Sequence, residues 1–372
     1  MEPSSSQHNS HTRLRDVLRE DFRQGDYATS FRRELKDIQA YYLTDEQKER
    51  LDAMGRRHRI KRWLWTAWWV LKEMVLRLSP IRRLFVLAAV IFSLKAVSDI
   101  AGGTTTDPGW EIILAMVLFL FVIILEVKDK LLVRDELEAG RKVQRALMPE
   151  QSPAVSGWDV WLSSRPANEV GGDLVDILRV TPSRFVVSIA DIAGKGLQAA
   201  LLMVKLQASI RALAAEESSV GDLVAHINEI FRRDSPASMF ASLLSVQLQP
   251  GSGSLRFVNA GHLPPFHLKE DGIEELAKGE PALGLVKGTQ YIEHDLELRP
   301  GEMFIAFSDG VVEARRESGE FFGPERFKTL LVSLCRLSAR QMAEKIVAEI
   351  DAFVGSTSSG DDLSLVVLRR VL

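Results

Sequence analysis

Two closely spaced apolar runs, Leu84 to Ile100 and Trp110 to Val127, constrain this chain more than any other feature of its 372 residues. The second, WEIILAMVLFLFVIILEV, has 18 residues with charge only near its ends; the first has 17 and is interrupted by Lys95. Crossing the hydrocarbon core of a bilayer takes about 20 predominantly apolar residues in helix. Ala101 to Gly109, between the runs, carries Gly-Gly and Asp-Pro-Gly turn signals. The pair therefore reads as two transmembrane helices in a hairpin. Either run alone could be the core helix of a soluble protein, but the flanking charge argues against that for both. Arg77, Arg82 and Arg83 precede the first run, Lys128, Lys130 and Arg134 follow the second, and the connection has no Lys or Arg. Basic flanks stay cytoplasmic. The expected location is the cytoplasmic (inner) membrane, multi-pass, with both termini and everything after the hairpin in the cytoplasm. Lys95, near the outer end, can snorkel toward the head groups.

Upstream, Arg62 to Leu78 sets Trp63, Trp65, Trp68 and Trp69 among basic residues, which suits a helix lying at the membrane interface. Residues 1–61 read as a charged region, partly disordered or helical. Met1 to Arg13 lacks an apolar core after a basic start and reads as a tail rather than a cleaved signal peptide. Downstream, Glu126 to Met148 is rich in helix formers, and Pro149 and Pro153 end it. Leu132, Ala139, Val143 and Ala146 form a broken heptad stripe, one route to a homodimer through this linker. The alternative is a helix that packs on its own domain, with Val143 and Leu147 on the apolar face. The expected divisions are 1–61, the Trp-rich helix 62–83, the membrane hairpin 84–127, the linker 128–149 and a folded domain 150–372.

From Trp158 onward the texture changes to short β-rich runs such as WDVWLSS, FVVSIAD, FASLLSVQL, LRFVNA, MFIAFSD and LSLVVLRR. Helical patterns lie between them at Leu197 to Ala215, Val220 to Arg232, Pro324 to Leu337 and Ala339 to Phe353. Grouped strands broken by paired helices favour an α+β sandwich over a doubly wound sheet. Charge is nearly balanced, 47 Lys and Arg against 50 Asp and Glu, so no global field points to nucleic acid. The single cysteine, Cys335, excludes an internal disulfide and a zinc site of several thiolates.

Four acidic motifs recur where a strand ends or a turn begins: Gly171-Gly172-Asp173, Asp191 in IADIAGKG, Ser308-Asp309-Gly310 and Gly360-Asp361-Asp362. Any one alone is ordinary turn chemistry. Four abutting apolar strands suggest a shared site, and carboxylates without His or Cys suit Mg2+ or Mn2+ rather than zinc. Two such ions could activate water and neutralise phosphate, the requirement for hydrolysing a phosphate ester without a covalent intermediate.

At these residues the chain resembles the metal-dependent phosphatases of the protein phosphatase 2C superfamily, in the bacterial branch of stage II sporulation protein E and the stress-response sigma-regulator phosphatases. The resemblance runs from about Val143 to Arg369. It rests on VQRALMP, RPANEVGGDLVDI, IADIAGKGLQAALLM, VNAGHLPPF, PALGL, FSDGVVEARRESGEFFG and GDDLSLVVLRR, in the family's order. It implies an α/β/β/α sandwich phosphatase domain and a protein serine/threonine phosphatase that uses two Mn2+ or Mg2+ ions. Carried over by motif, Asp191 would bridge the ions, the Ile192 carbonyl would complete one sphere, and Asp309 and Asp361 would hold the other ion. Asp173 would orient the attacking water or ligate directly. Of the adjacent pair, Asp361 is the favoured ligand, with Asp362 supporting it. The implied partner is a phosphorylated regulatory protein such as an anti-sigma factor antagonist. The linker helix would act as an activity switch. A catalytically silent membrane adaptor on the same fold is the competing reading, and retention of every expected carboxylate weighs against it.

The sequence departs from the family pattern at Leu174-Val175, at Ile192-Ala193 and at Asn168, where an arginine is frequent, so no phosphate-gripping side chain is assigned. A nucleotide P-loop around Lys195 is rejected, because Ile189 and Gly196 stand where Gly and Ser or Thr are required. The glycines of Gly194-Lys195-Gly196 read as a tight turn. His262 and Ser308 read as structural.

Overall fold

The computed structural model describes Ile38 and residues 42–53, 59–102, 109–148, 154–355 and 360–371. Expectations for the N-terminal tail, for the hairpin turn at 103–108 and for Pro149 and Pro153 lie outside the described residues. The chain divides into two compact units between Lys130 and Leu131.

In the first unit, α1 (Asp45–Ala53) and α2 (Arg59–Arg77) precede α3 (Pro80–Gly102). Helix α4 (Gly109–Leu147) begins here and continues past the division. Both α3 and α4 are long and apolar enough to cross a membrane. Their apolar side chains are largely exposed, Leu84, Leu94, Ile113 and Met116 among them, as expected of surfaces made for lipid. Arg82 bridges Glu126 at 2.5 Å and Asp129 at 2.6 Å near one end of the pair. Near the other end Lys95 does not simply snorkel outward, because its ammonium meets the buried carboxylate of Glu111. On α2, Trp63 and Trp68 are exposed.

The second unit holds two five-stranded antiparallel sheets. One runs β1 (Trp158–Arg165), β10 (Leu363–Arg370), β9 (Met303–Phe307), β6 (Phe266–Lys269), β7 (Gly272–Glu275). The other runs β2 (Leu174–Thr181), β3 (Arg184–Ile192), β4 (Ala241–Leu248), β5 (Ser254–Ala260), β8 (His294–Glu297). Val160, Ile177, Ile189, Val246, Phe257, Phe304 and Val366 meet between the sheets. Helices α5 (Leu197–Leu213) and α6 (Val220–Asp234) cover the β2–β8 sheet through Met203, Leu206, Leu223 and Phe231. On the other sheet, α8 (Pro324–Ser333) and α9 (Ala339–Val354) pack Phe327, Met342 and Ile346 against Ile305, Leu365 and Val367. The expected α/β/β/α sandwich is thus present.

This layering explains why LSLVVLRR is an unbroken apolar run before its two arginines. Leu363, Leu365 and Val367 face the helices while Val366 and Leu368 face the other sheet, so both faces of β10 are buried. Each such Leu, Ile or Phe contributes about 1.5–3 kcal/mol by burial. Sequence reading did not separate out β2, β6, β7 and β8. Three of these, β6, β7 and β8, are four residues long, too short for a period-two signal, and β2 follows directly on an acidic motif. Val143, expected on the packed face of α4, is 61% exposed. The packed positions are Gly140, whose added Cβ would lie 3.8 Å from Val170, and the buried Gln144.

Candidate metal centre

Strand register brings the acidic motifs together. β2 and β3 are antiparallel with Leu174 opposite Ala190, so Asp173, one residue before β2, lies beside Asp191 near the end of β3. β9 and β10 are antiparallel with Phe307 opposite Leu365. Asp309, at the start of the short helix α7 (Asp309–Val312), therefore sits near Asp361 and Asp362, just ahead of β10. Both antiparallel pairs deliver their carboxylates to one end of the sandwich.

Crowding sets the electrostatics. The Asp191 carboxyl is pushed up to about 7, first by burial and then by Asp309, Asp361 and Asp362. Burial raises Asp173 well above the usual range, with Asp191 and Asp362 adding to it and the hydroxyls of Ser364 and Ser308 opposing it. Asp309 is raised by burial, then by Asp361 and Glu313. Asp173 is 3% exposed, and its Oδ2 has no hydrogen-bond partner. Lys195 opposes the rise at Asp309 only in part.

The adjacent aspartates differ. Asp362 is buried, and both its oxygens accept backbone amides: Oδ1 from Ala167 at 2.7 Å, Oδ2 from Gly172 at 2.7 Å and Asp173 at 3.3 Å. It cross-braces the Gly-Gly-Asp loop. Asp361 Oδ1 accepts from the Asp362 amide at 3.1 Å, and Oδ2 lies 2.8 Å from Lys195 Nζ. Glycine is required where these loops touch: a Cβ on Gly171 would stand 2.6 Å from Asp362 Oδ2, and one on Gly310 only 2.0 Å from the Asp362 carbonyl oxygen. The Gly-Gly-Asp and Asp-Gly pairings in the sequence are therefore packing requirements.

The donors suit a hard cation: four carboxylates and the Ile192 carbonyl, whose oxygen would be 3.3 Å from a Cβ on Gly172. Among the described residues no three acidic, His or Cys side chains already stand at metal-ligand spacing. The orphaned Asp173 oxygen and the all-oxygen donor set fit Mg2+ or Mn2+.

Ser308 is fully buried; its hydroxyl donates to the Asp362 carbonyl at 3.1 Å and accepts from the Ser364 amide at 2.9 Å. It is a strand-end brace. His262 is buried, with Nδ1 2.8 Å from Ser242 Oγ, and burial lowers it to about 4. Asn259 holds its main chain, accepting from the His262 amide at 2.8 Å and donating to the His262 carbonyl at 3.1 Å. Two residues outside the sequence-derived site touch it. One is Lys195, read only as part of a turn, whose signal was its position four residues after Asp191. The other is Gln144, whose side chain donates to the Gly171 carbonyl at 2.7 Å and accepts its amide at 3.1 Å.

A cavity of about 410 Å3 opens beside Asp191 and Asp309, lined also by Phe240, Ser242, His262 and Lys278. A larger one, about 910 Å3, is lined by His267, Arg299, Glu302 and Arg369 and contains none of the crowded carboxylates.

Residues 181–371, just over half the chain, match the family described as stage II sporulation protein E (SpoIIE). The chain is 28% identical over 274 residues to Protein IcfG of Synechocystis sp., covering 66% of this chain and 43% of IcfG. It is also 28% identical over 240 residues to phosphoserine phosphatase RsbU of Bacillus subtilis, covering 64% of this chain and 71% of RsbU. Among solved structures, the SiaA PP2C domain of Pseudomonas aeruginosa superposes with a TM-score of 0.58 at 22% identity, over 65% of this chain and 98% of that domain. That likeness speaks to the fold. Two antiparallel sheets between helix pairs, acidic motifs gathered at one end and a family match through that region lead to one conclusion: the chain belongs to the SpoIIE family of PP2C-type phosphatases.

Proposed function

We propose that this chain is a membrane-anchored protein serine/threonine phosphatase that removes phosphate from a phosphoserine or phosphothreonine on a regulatory protein in partner-switching signalling. The crowded carboxylates carry this reading: Asp173, Asp191 and Asp309 are held with raised pKa values, Asp191 and Asp309 lining a cavity, an arrangement that favours binding of cations. Asp191, the Ile192 carbonyl, Asp309, Asp361 and Asp173 would be the protein donors holding two Mn2+ or Mg2+ ions. When bound, the ions supply Lewis acidity that activates water and neutralises phosphate charge. Asp362 would keep Asp173 and its loop in position. The cavity beside Asp191 and Asp309 would receive the phosphorylated side chain, with Phe240 and Lys278 in its wall. Ser308, enclosed and hydrogen-bonded in both senses, offers no nucleophile, which supports direct attack by water.

The similarity to RsbU supports a phosphorylated regulator, such as an anti-sigma factor antagonist, as partner. Two apolar helices with basic flanks support anchoring in the cytoplasmic membrane, with the catalytic unit in the cytoplasm. Leu132 and Val143, exposed on α4, leave the heptad stripe available for a homodimer. The test is hydrolysis of a phosphoserine peptide by the full chain in detergent with Mn2+. Activity should vanish with chelator, return on adding Mn2+ or Mg2+, and be lost in Asp309→Asn. Equal activity in the two proteins, or none with any metal, would favour the adaptor.

A further inference from the structure

Lys195 lies in the turn between β3 and α5, where Gly194 and Gly196 adopt φ of 105° and 77°. This backbone holds the lysine over the carboxylates. Its Nζ is 2.8 Å from Asp361 Oδ2 and 2.8 Å from the Gly360 carbonyl oxygen, and it also feels Asp362 and Asp309. The side chain is 57% exposed, so the ammonium has solvent into which to withdraw. A monovalent cation on a flexible stem thus neutralises one of the oxygen donors proposed for a divalent ion.

We propose that Lys195 is a tethered counter-ion of the carboxylate cluster: it occupies Asp361 in the metal-free protein, and a divalent ion that takes Asp361 must displace it. This rests on the two-ion reading of the site. The exchange breaks the ammonium–carboxylate pair, returns the ammonium to water and forms the cation–carboxylate contact; no covalent bond changes. Lys195 therefore weakens metal binding while relieving repulsion in the metal-free state. An exposed ion pair is worth little, and a neighbouring positive charge also repels an incoming dication.

The experiment is calorimetric titration of the full chain in detergent with Mn2+ alone, for the unsubstituted protein and Lys195→Gln, Lys195→Met and Lys195→Arg. The Gln and Met variants should bind Mn2+ about 3- to 10-fold more tightly, the effect of removing up to roughly 1.4 kcal/mol of competition. Their metal-free forms should melt at lower temperature than the unsubstituted protein. Lys195→Arg, which keeps the charge, should bind with parental affinity. Unchanged or weaker Mn2+ binding in Gln and Met variants that melt cooperatively overturns the proposal. Absence of Mn2+ binding by the unsubstituted protein overturns the two-ion reading itself, and the competition with it.

Discussion

Asp191 shows how a single residue ties stability to chemistry. Its carboxyl titrates near 7 in the folded protein, above the ordinary value of about 3.9. Protonation therefore favours the fold: the contribution is complete below about pH 4 and is lost as pH rises through about 7. The metal-free protein should melt at progressively lower temperature between pH 5 and 7.5, whereas Asp191→Asn should flatten that dependence, raise the melting temperature at pH 7.5 and abolish activity. A variant as pH-sensitive as the parent would refute the assignment. The neighbouring aspartates give a second separation. Asp362→Ala strands the amides of Ala167 and Gly172, which should cost about 1–3 kcal/mol of stability. Asp361→Ala loses a half-exposed ion pair and one local amide contact from the next residue, so its stability should fall less than that of Asp362→Ala. Its Mn2+ affinity should fall by more than the roughly 10- to 100-fold that an outer-sphere partner costs. Calorimetry and thermal melts on the two variants read these effects independently, and the reverse pattern would exchange their roles.

At the scale of elements, the last turns of α4 decide how a helix addresses a loop. Gln144 clasps both polar groups of the Gly171 backbone, Gln207 Nε2 donates to the Leu147 carbonyl at 2.8 Å, and Arg141 pairs with Glu169 at 3.2 Å. One residue beyond Gly171, the loop's amides reach Asp362. A displacement of Gln144 would thus be felt two residues before Asp173. Gln144→Ala should cost about 1–3 kcal/mol by leaving the Gly171 groups unpaired, and should also change turnover or Mn2+ affinity. Val143→Asp, on an exposed position, should stay within about 0.5 kcal/mol of the parent. Lys142→Ala is the appropriate control, since Arg141 is itself engaged. If Gln144→Ala keeps parental turnover and metal dependence, α4 is only a spacer. Hydrophobic periodicity pointed to Val143 because it searches for apolar stripes, and a contact made by a glycine and a glutamine leaves no such stripe.

For the whole molecule, the testable property is how the chain meets a membrane. Removing residues 1–128 takes away the exposed apolar helices and the tryptophans of α2, so the remainder should purify without detergent. A reporter after Leu372 should behave as cytoplasmic, and a tag within residues 102–107 should be reachable from outside. Reversed signals would overturn the orientation, and a full chain soluble without detergent would remove both spans.

What the sequence determined by itself is whatever neighbouring residues encode: helices long enough to span, strands apolar on both faces, turns set by glycine, and four acidic motifs whose chemistry asks for a hard cation. These signals depend on spacings of a few residues, so they survive without the fold. Tertiary structure alone decided that the four motifs share one end of the sandwich, through the antiparallel registers of β2 with β3 and β9 with β10. It alone separated Asp361 from Asp362, since the amides that occupy Asp362 come from Ala167, Gly172 and Asp173, nearly 200 positions earlier in the chain. It also brought Lys195 to Asp361 and Gln144 to Gly171. Contacts between distant segments are set by packing and register, which leave no periodic trace in the chain.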